Sequence, residues 1–253
     1  MRFLGGPALV LAFALACPAS SGEGEGEGEG EGEGEGEGEG EGEGEGDPAP
    51  GFGIISGACD ILDAELTSAQ PSFFADVAID FGANPYDDAD LELLSAGAQE
   101  IITDGNAGGS SVVSEAITFD LLARCEGASL IKTENEIEYT VADTKITDFT
   151  VAIDGVVVAV NPVRTFVFPA GSPLTFVKAL RRLEGKLDDV LISSANVAPA
   201  DAWSKQIIAV IAAEPEHVQV VRDVWDSLDA VTRHDTIVYV YVTLGDDAFI
   251  AAN

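Results

Sequence analysis

Glu134, Glu136 and Glu138 stand at alternate positions, and a strand of period two would put all three on one face. Oxygen ligands clustered in that way suit a hard divalent cation such as Mg²⁺ or Mn²⁺. The same spacing also describes the solvated face of an edge strand. Gly108-Gly109-Ser110-Ser111 precedes a helical pattern and could cradle an anion, with free amides and a positive helix end facing it. It lacks the lysine of a P-loop, and an ordinary loop with Ser110 or Ser111 as N-cap fits equally. Lys178, Arg181, Arg182 and Lys186 lie at i, i+3, i+4 and i+8, a basic stripe able to grip phosphate or simply to face solvent. His217 and His234 have no second histidine or cysteine at ligand spacing and read as structural. No GxSxG, HExxH, Rossmann or EF-hand pattern occurs.

The cysteines bear on location. Arg2, an apolar stretch over 3–16 and the small-residue end Ala14-Leu15-Ala16 have the form of a secretory signal, too short to span a bilayer. Ala14-Leu15-Ala16-Cys17 resembles a bacterial lipobox in which Cys17 becomes the lipidated N-terminus; it departs from the usual pattern at Ala14, where Leu is common. These residues predict a protein of the cell envelope or surface, anchored in the membrane by lipid. Cleavage without lipidation would give a secreted protein instead. With Cys17 set aside, Cys59 and Cys125 can pair in an oxidising compartment or remain as buried thiols.

From Gly22 to Gly46 the chain repeats Gly-Glu, which maximises backbone entropy, repels itself and buries nothing. The organisation expected is a signal over 1–16, a disordered linker over 17–50 and one globular domain over 51–253. Residues 47–253 hold 33 acidic and 11 basic residues, a formal charge of −22. That excess opposes nucleic-acid binding, which depends on neutralising phosphates with lysines and arginines. It leaves a protein or a small ligand as partner.

The elements that would position these residues alternate in period. Strands are predicted over 73–81, 130–140, 146–153, 156–160, 190–193 and 236–243, with Asp154-Gly155 marking a hairpin. Helices are predicted over 90–102, 112–124, 173–187, 202–213 and 218–228. The order indicates an α/β chain of the α+β kind, a mixed sheet flanked by helices.

The blocks NAGGSSVVSEAITFDLLARCEGASLIKTENEIEY, TDFTVAI, AVNPVRTF and WSKQI resemble an uncharacterised family found in eukaryotes and some bacteria, over about 86–241. The order of one helix, three strands, a helix and a strand is similar, more distantly, to the PD-(D/E)xK nuclease fold, which implies a restriction-endonuclease-like core. That resemblance puts Glu115 in the place of the helix glutamate and Asp148 in that of the strand aspartate. Where Glu-x-Lys is needed, the chain has Asn161-Pro162-Val163, so a metal-binding carboxylate and the general-base lysine are missing. Arg164 carries a guanidinium that stays charged and cannot replace that base. The resemblance therefore implies a catalytically degenerate binding module. Its alternative is a metal-dependent phosphodiesterase or nuclease in which Glu115, Asp148 and Glu136 are the catalytic candidates. Glu115, Glu136, Glu138 and Asp148 would then hold the cation.

Overall fold

The computed structural model describes residues 48–107, 111–167 and 172–252. Cys17, the Gly-Glu tract and Gly108, Gly109 and Ser110 of the expected anion cradle lie outside the described residues.

A seven-stranded mixed sheet runs in the order β1-β2-β7-β6-β5-β4-β3. Its strands are β1 (Ile54–Gly57), β2 (Ser72–Asp80), β3 (Ser129–Thr133), β4 (Phe149–Ile153), β5 (Val156–Arg164), β6 (Lys205–Ala212) and β7 (Ile237–Leu244). The central four, β2, β7, β6 and β5, are parallel, whereas β1 at one edge and β4 and β3 at the other pair antiparallel. Helices α1 (Asp63–Leu66), α2 (Ala96–Asp104), α3 (Val112–Cys125), α4 (Phe176–Asn196), α5 (Pro215–Ser227), α6 (Ala230–Arg233) and α7 (Ala248–Ala252) complete the fold. The mixed α/β architecture expected from the sequence is present.

Local chemistry explains the hairpin between β4 and β5. Asp154 and Gly155 take φ of 48° and 75°, left-handed at both positions, and Ile153 pairs with Val156 across the two-residue turn. Successive positive φ values match the right-handed twist of the flanking strands.

Several predicted elements are corrected. Residues 202–213, read as a helix, contain β6, which is buried at every position. A parallel strand covered on both faces loses polar alternation, and its apolar run is then indistinguishable by period from a buried helix. Residues 190–193, read as a strand, lie inside α4, which continues to Asn196. The pattern over 90–102 is split at Leu94-Ser95 between a 3-10 helix (Asp88–Leu93) and α2. The capping box of Asp87 with Asp90 fixes the start of the 3-10 helix. β3 stops at Thr133, and residues 134–136 turn. Glu134, Glu136 and Glu138 therefore share no strand face. Glu134 is buried, and the other two are exposed.

Two apolar clusters sit on opposite faces of the sheet. β6 and β7 feed both by alternation, with Ile207, Ile211, Tyr239 and Tyr241 on one face. Ile208, Val210, Val238 and Val240 lie on the other. The first face is covered by α2 and α3, and the second by α4 and α5. Every residue of α3 from Val113 to Leu122 is buried, polar ones included. Cys59 and Cys125 are disulfide-bonded with Cα atoms 4.7 Å apart, which fastens the loop before α1 to the end of α3.

Candidate functional site

At the C-terminal end of β5, the start of α3 and the middle of α4 enclose a polar cleft of about 640 Å³. Its walls include Ser111 at the N-cap of α3, Glu115 in its first turn, Asp148 just before β4, and Arg164 at the end of β5. Arg182, Lys186 and Asp189 come from α4. The helix-face spacing of α4 directs Leu183, Leu187 and Val190 into the core. Arg182, Lys186 and Asp189 are left on the flank that meets the cleft.

Glu115 is 2 % exposed, and its Oε1 accepts hydrogen bonds from the Ser111 hydroxyl at 2.6 Å and Asn106 Nδ2 at 2.9 Å. Ser111 thus occupies the N-cap position, but its side chain serves the glutamate and makes no cap bond. Burial, followed by the charge of Asp148, pushes the Glu115 carboxyl up to about 7 against the hydrogen bond from Ser111. Burial also raises Asp148, and Lys186 opposes that rise. Lys186 Nζ stands 3.4 Å from Asp148 Oδ2. Glu134 faces the same field: its carboxylate accepts from the Ala107 amide, and burial and Asp148 raise its pKa.

The segment that carries Glu134 and Asp148 at its two ends is strapped to the end of α4. Tyr139 bridges Val197, Thr140 N donates to Asn196 O at 2.8 Å, and Asn196 Nδ2 donates to Thr144 Oγ1 at 2.8 Å. Lys132 and the Glu138 amide both hold Asp201. Lys145 pairs with Asp189 at 3.0 Å. These bonds fix Asp148 relative to Lys186.

The structure thus brings together Glu115, Asp148 and Ser111 of the sequence candidates. Glu138 is exposed and tied to Asp201 only through its amide. Exposed Glu136 folds back, its carboxylate accepting from Thr133 N at 3.1 Å. Among the described residues no group of three or more His, Cys, Asp or Glu is gathered closely enough to hold a metal ion. Asn161 is buried and donates to Thr147 Oγ1 at 2.8 Å. His217 is also buried, with Nδ1 3.2 Å from Thr165 Oγ1.

Sequence reading missed Lys186 as the partner of Asp148, and it missed Arg182 and Asp189 as walls. The i, i+4 spacing of Arg182 and Lys186 carried the signal, but the stripe's neighbour across space could not be read from it. In the cleft three cations face three carboxylates. A protonated Glu115 tips that balance toward positive charge.

No known protein-family model matches the chain, and no solved structure matches it. A curated Dictyostelium discoideum protein called "AAC-rich mRNA clone AAC4 protein" is 38 % identical over 154 residues. That match takes in 58 % of this chain and 22 % of the Dictyostelium protein, so the chain spans about a fifth of the length of the relative it matches.

Proposed function

We propose that the domain is a binding module that takes a small phosphate-bearing ligand in the cleft between α3 and α4, carried by an exported protein that Cys17 anchors in lipid. One observation carries the ligand class: Arg164, Arg182 and Lys186 line a single cleft, although residues 47–253 hold 33 acidic and only 11 basic residues. An anion entering there exchanges repulsion from the general surface for local attraction, and a cavity of this size lies in the small-ligand range. The disulfide supports export, since such bonds persist in oxidising compartments. Calorimetric titration with inorganic phosphate should give saturable binding that weakens at least tenfold in the Arg182→Ala/Lys186→Ala double variant. Equal affinity in both proteins would reject the cleft as the site. Detergent partitioning should follow Cys17, with Cys17→Ser moving the protein to the aqueous phase; identical fractionation would reject the anchor.

A second reading, metal-dependent phosphodiester hydrolysis by a restriction-endonuclease-like core, is favoured by Lys186. The lysine absent from Asn161-Pro162-Val163 arrives from α4 beside Asp148. Mg²⁺ commonly takes one or two carboxylates with substrate phosphate and water, so Glu115 and Asp148 are a fitting pair for such an ion. Mn²⁺-dependent release of nitrophenol from bis-p-nitrophenyl phosphate, abolished by Lys186→Ala, would establish this reading over plain binding.

A further inference from the structure

Lys205 is the first residue of β6 and is only 3 % exposed, at the end of the sheet away from the cleft. Among the five lysines of the chain it stands apart. Lys132, Lys145 and Lys186 each form an ion pair with an aspartate, and Lys178 is exposed. Lys205 has no carboxylate within ion-pair distance among the described residues. Its Nζ instead donates to the carbonyls of Ser68 and Gln70, the latter at 3.3 Å. An ammonium carries three donors, so two carbonyls leave one donor and a formal charge with no carboxylate in direct contact. Burying such a charge is costly, and burial pushes the amine below its usual pKa, with Asp235 and Glu65 only partly opposing the shift.

Lys205 also lines a cavity of about 440 Å³. Leu66, Ala69 and Val156 supply apolar wall, and Thr67 and Ser204 also line it. Asp235, also on the wall, is engaged by His234, whose Nδ1 lies 2.6 Å from its carboxylate. The cavity therefore offers one buried cation, a carboxylate already held by His234, and a short apolar surface. We propose that it binds a small carboxylate with a short hydrocarbon chain, the head on Lys205 and the chain against Leu66 and Val156.

The loop carbonyls explain why Lys205 is held in place but leave it no carboxylate in direct contact. A carboxylate would supply the missing acceptor and the missing charge together. The site is separate from the α3–α4 cleft and does not depend on the function proposed for it.

Thermal melting of the full-length chain with sodium butyrate, against sodium chloride at equal ionic strength, tests the proposal. A ligand that binds only the folded state at saturating concentration should raise Tm by about 5 °C, saturably. Val156→Phe fills the cavity while leaving Lys205 in place and should abolish the shift; so should Lys205→Met, provided it folds. Arg182→Ala/Lys186→Ala should keep it. A butyrate shift that survives Val156→Phe, or one no larger than chloride gives, overturns the proposal.

Discussion

The two faces of the sheet are built by different rules. Beneath α4 and α5 the centre is mainly aliphatic, with Leu183, Leu187, Val190, Val221 and Val224 against Ile208, Val210, Val238 and Val240, while Trp225 and the pairs His217–Thr165 and Ser194–Gln206 are also held there. Beneath α3 the apolar layer is interrupted by polar groups bonded to one another and to the backbone. Thr118 Oγ1 lies 2.8 Å from Tyr241 Oη, and Asp120 accepts from Ser95 N and pairs with Arg124 at 3.1 Å. Glu126 accepts from the amides of Ile61 and Leu62 and from Tyr239. Arg124 also reaches the carbonyls of Ala49, Phe52 and Gly53, so it ties the start of the described domain to α3. The aliphatic face holds by volume, while the α3 face holds by a network that tolerates few other arrangements. The cleft opens where the two meet.

The largest expected effect comes from the covalent staple on the α3 face. Cys59 and Cys125 are 66 positions apart, and opening that loop in the unfolded chain costs about 4 kcal/mol of stability in the closure model. The Cys59→Ala/Cys125→Ala variant should melt roughly 10 °C lower for a domain of this size. An unchanged melting temperature would mean that the network holds α3 without the staple.

Next in size is the contrast between the faces. Leu187→Ala on the aliphatic face should cost about 3 kcal/mol through the cavity it leaves, and Leu187→Met less than about 1.5. On the α3 face the near-isosteric Thr118→Val should cost about 1–2 kcal/mol by leaving the Tyr241 hydroxyl unpaired. Denaturant titration of the three variants measures all of this. A neutral Thr118→Val would break the distinction.

The polar face also predicts pH dependence. Burial raises Glu115 and Glu126 from 4.5 to about 7 in the folded protein. A raised folded pKa means that the native state holds its proton more tightly than the unfolded chain. The stability from these two groups is full below about pH 4.5 and is lost as pH climbs through 7. Each contributes at most about 3 kcal/mol, and the Glu115→Gln/Glu126→Gln variant should flatten the fall. Melting curves from pH 5 to 8 that are flat in the wild type would show that the network accommodates both charges.

Legibility in the sequence follows the same division. Residues 236–243 are readable through their β-branched and aromatic composition although β7 is central and buried on both faces, and the Asp154-Gly155 hairpin through its turn signal. β6 is equally buried, but its run of Ile, Val and Ala has no aromatic residue to separate a strand from a buried helix once alternation is lost. Glu115 and Asp148 were placed by a resemblance and do meet at one cleft, yet their partner Lys186 comes from 38 positions beyond Asp148 along the chain. Glu136 and Glu138 were drawn into the site by assuming that β3 continued past Thr133. Lys205 gave no signal, because a single lysine entering an apolar run resembles the end of any helix.

The central claim is that the cleft between α3 and α4 is the ligand site. Amide chemical-shift mapping of the ¹⁵N-labelled full-length chain during a titration with inorganic phosphate tests it most directly. The account predicts saturable shifts concentrated at Ser111, Glu115, Gly185 and Lys186, absent in the Arg182→Ala/Lys186→Ala variant. Shifts that cluster elsewhere, or that persist in that variant, would contradict it.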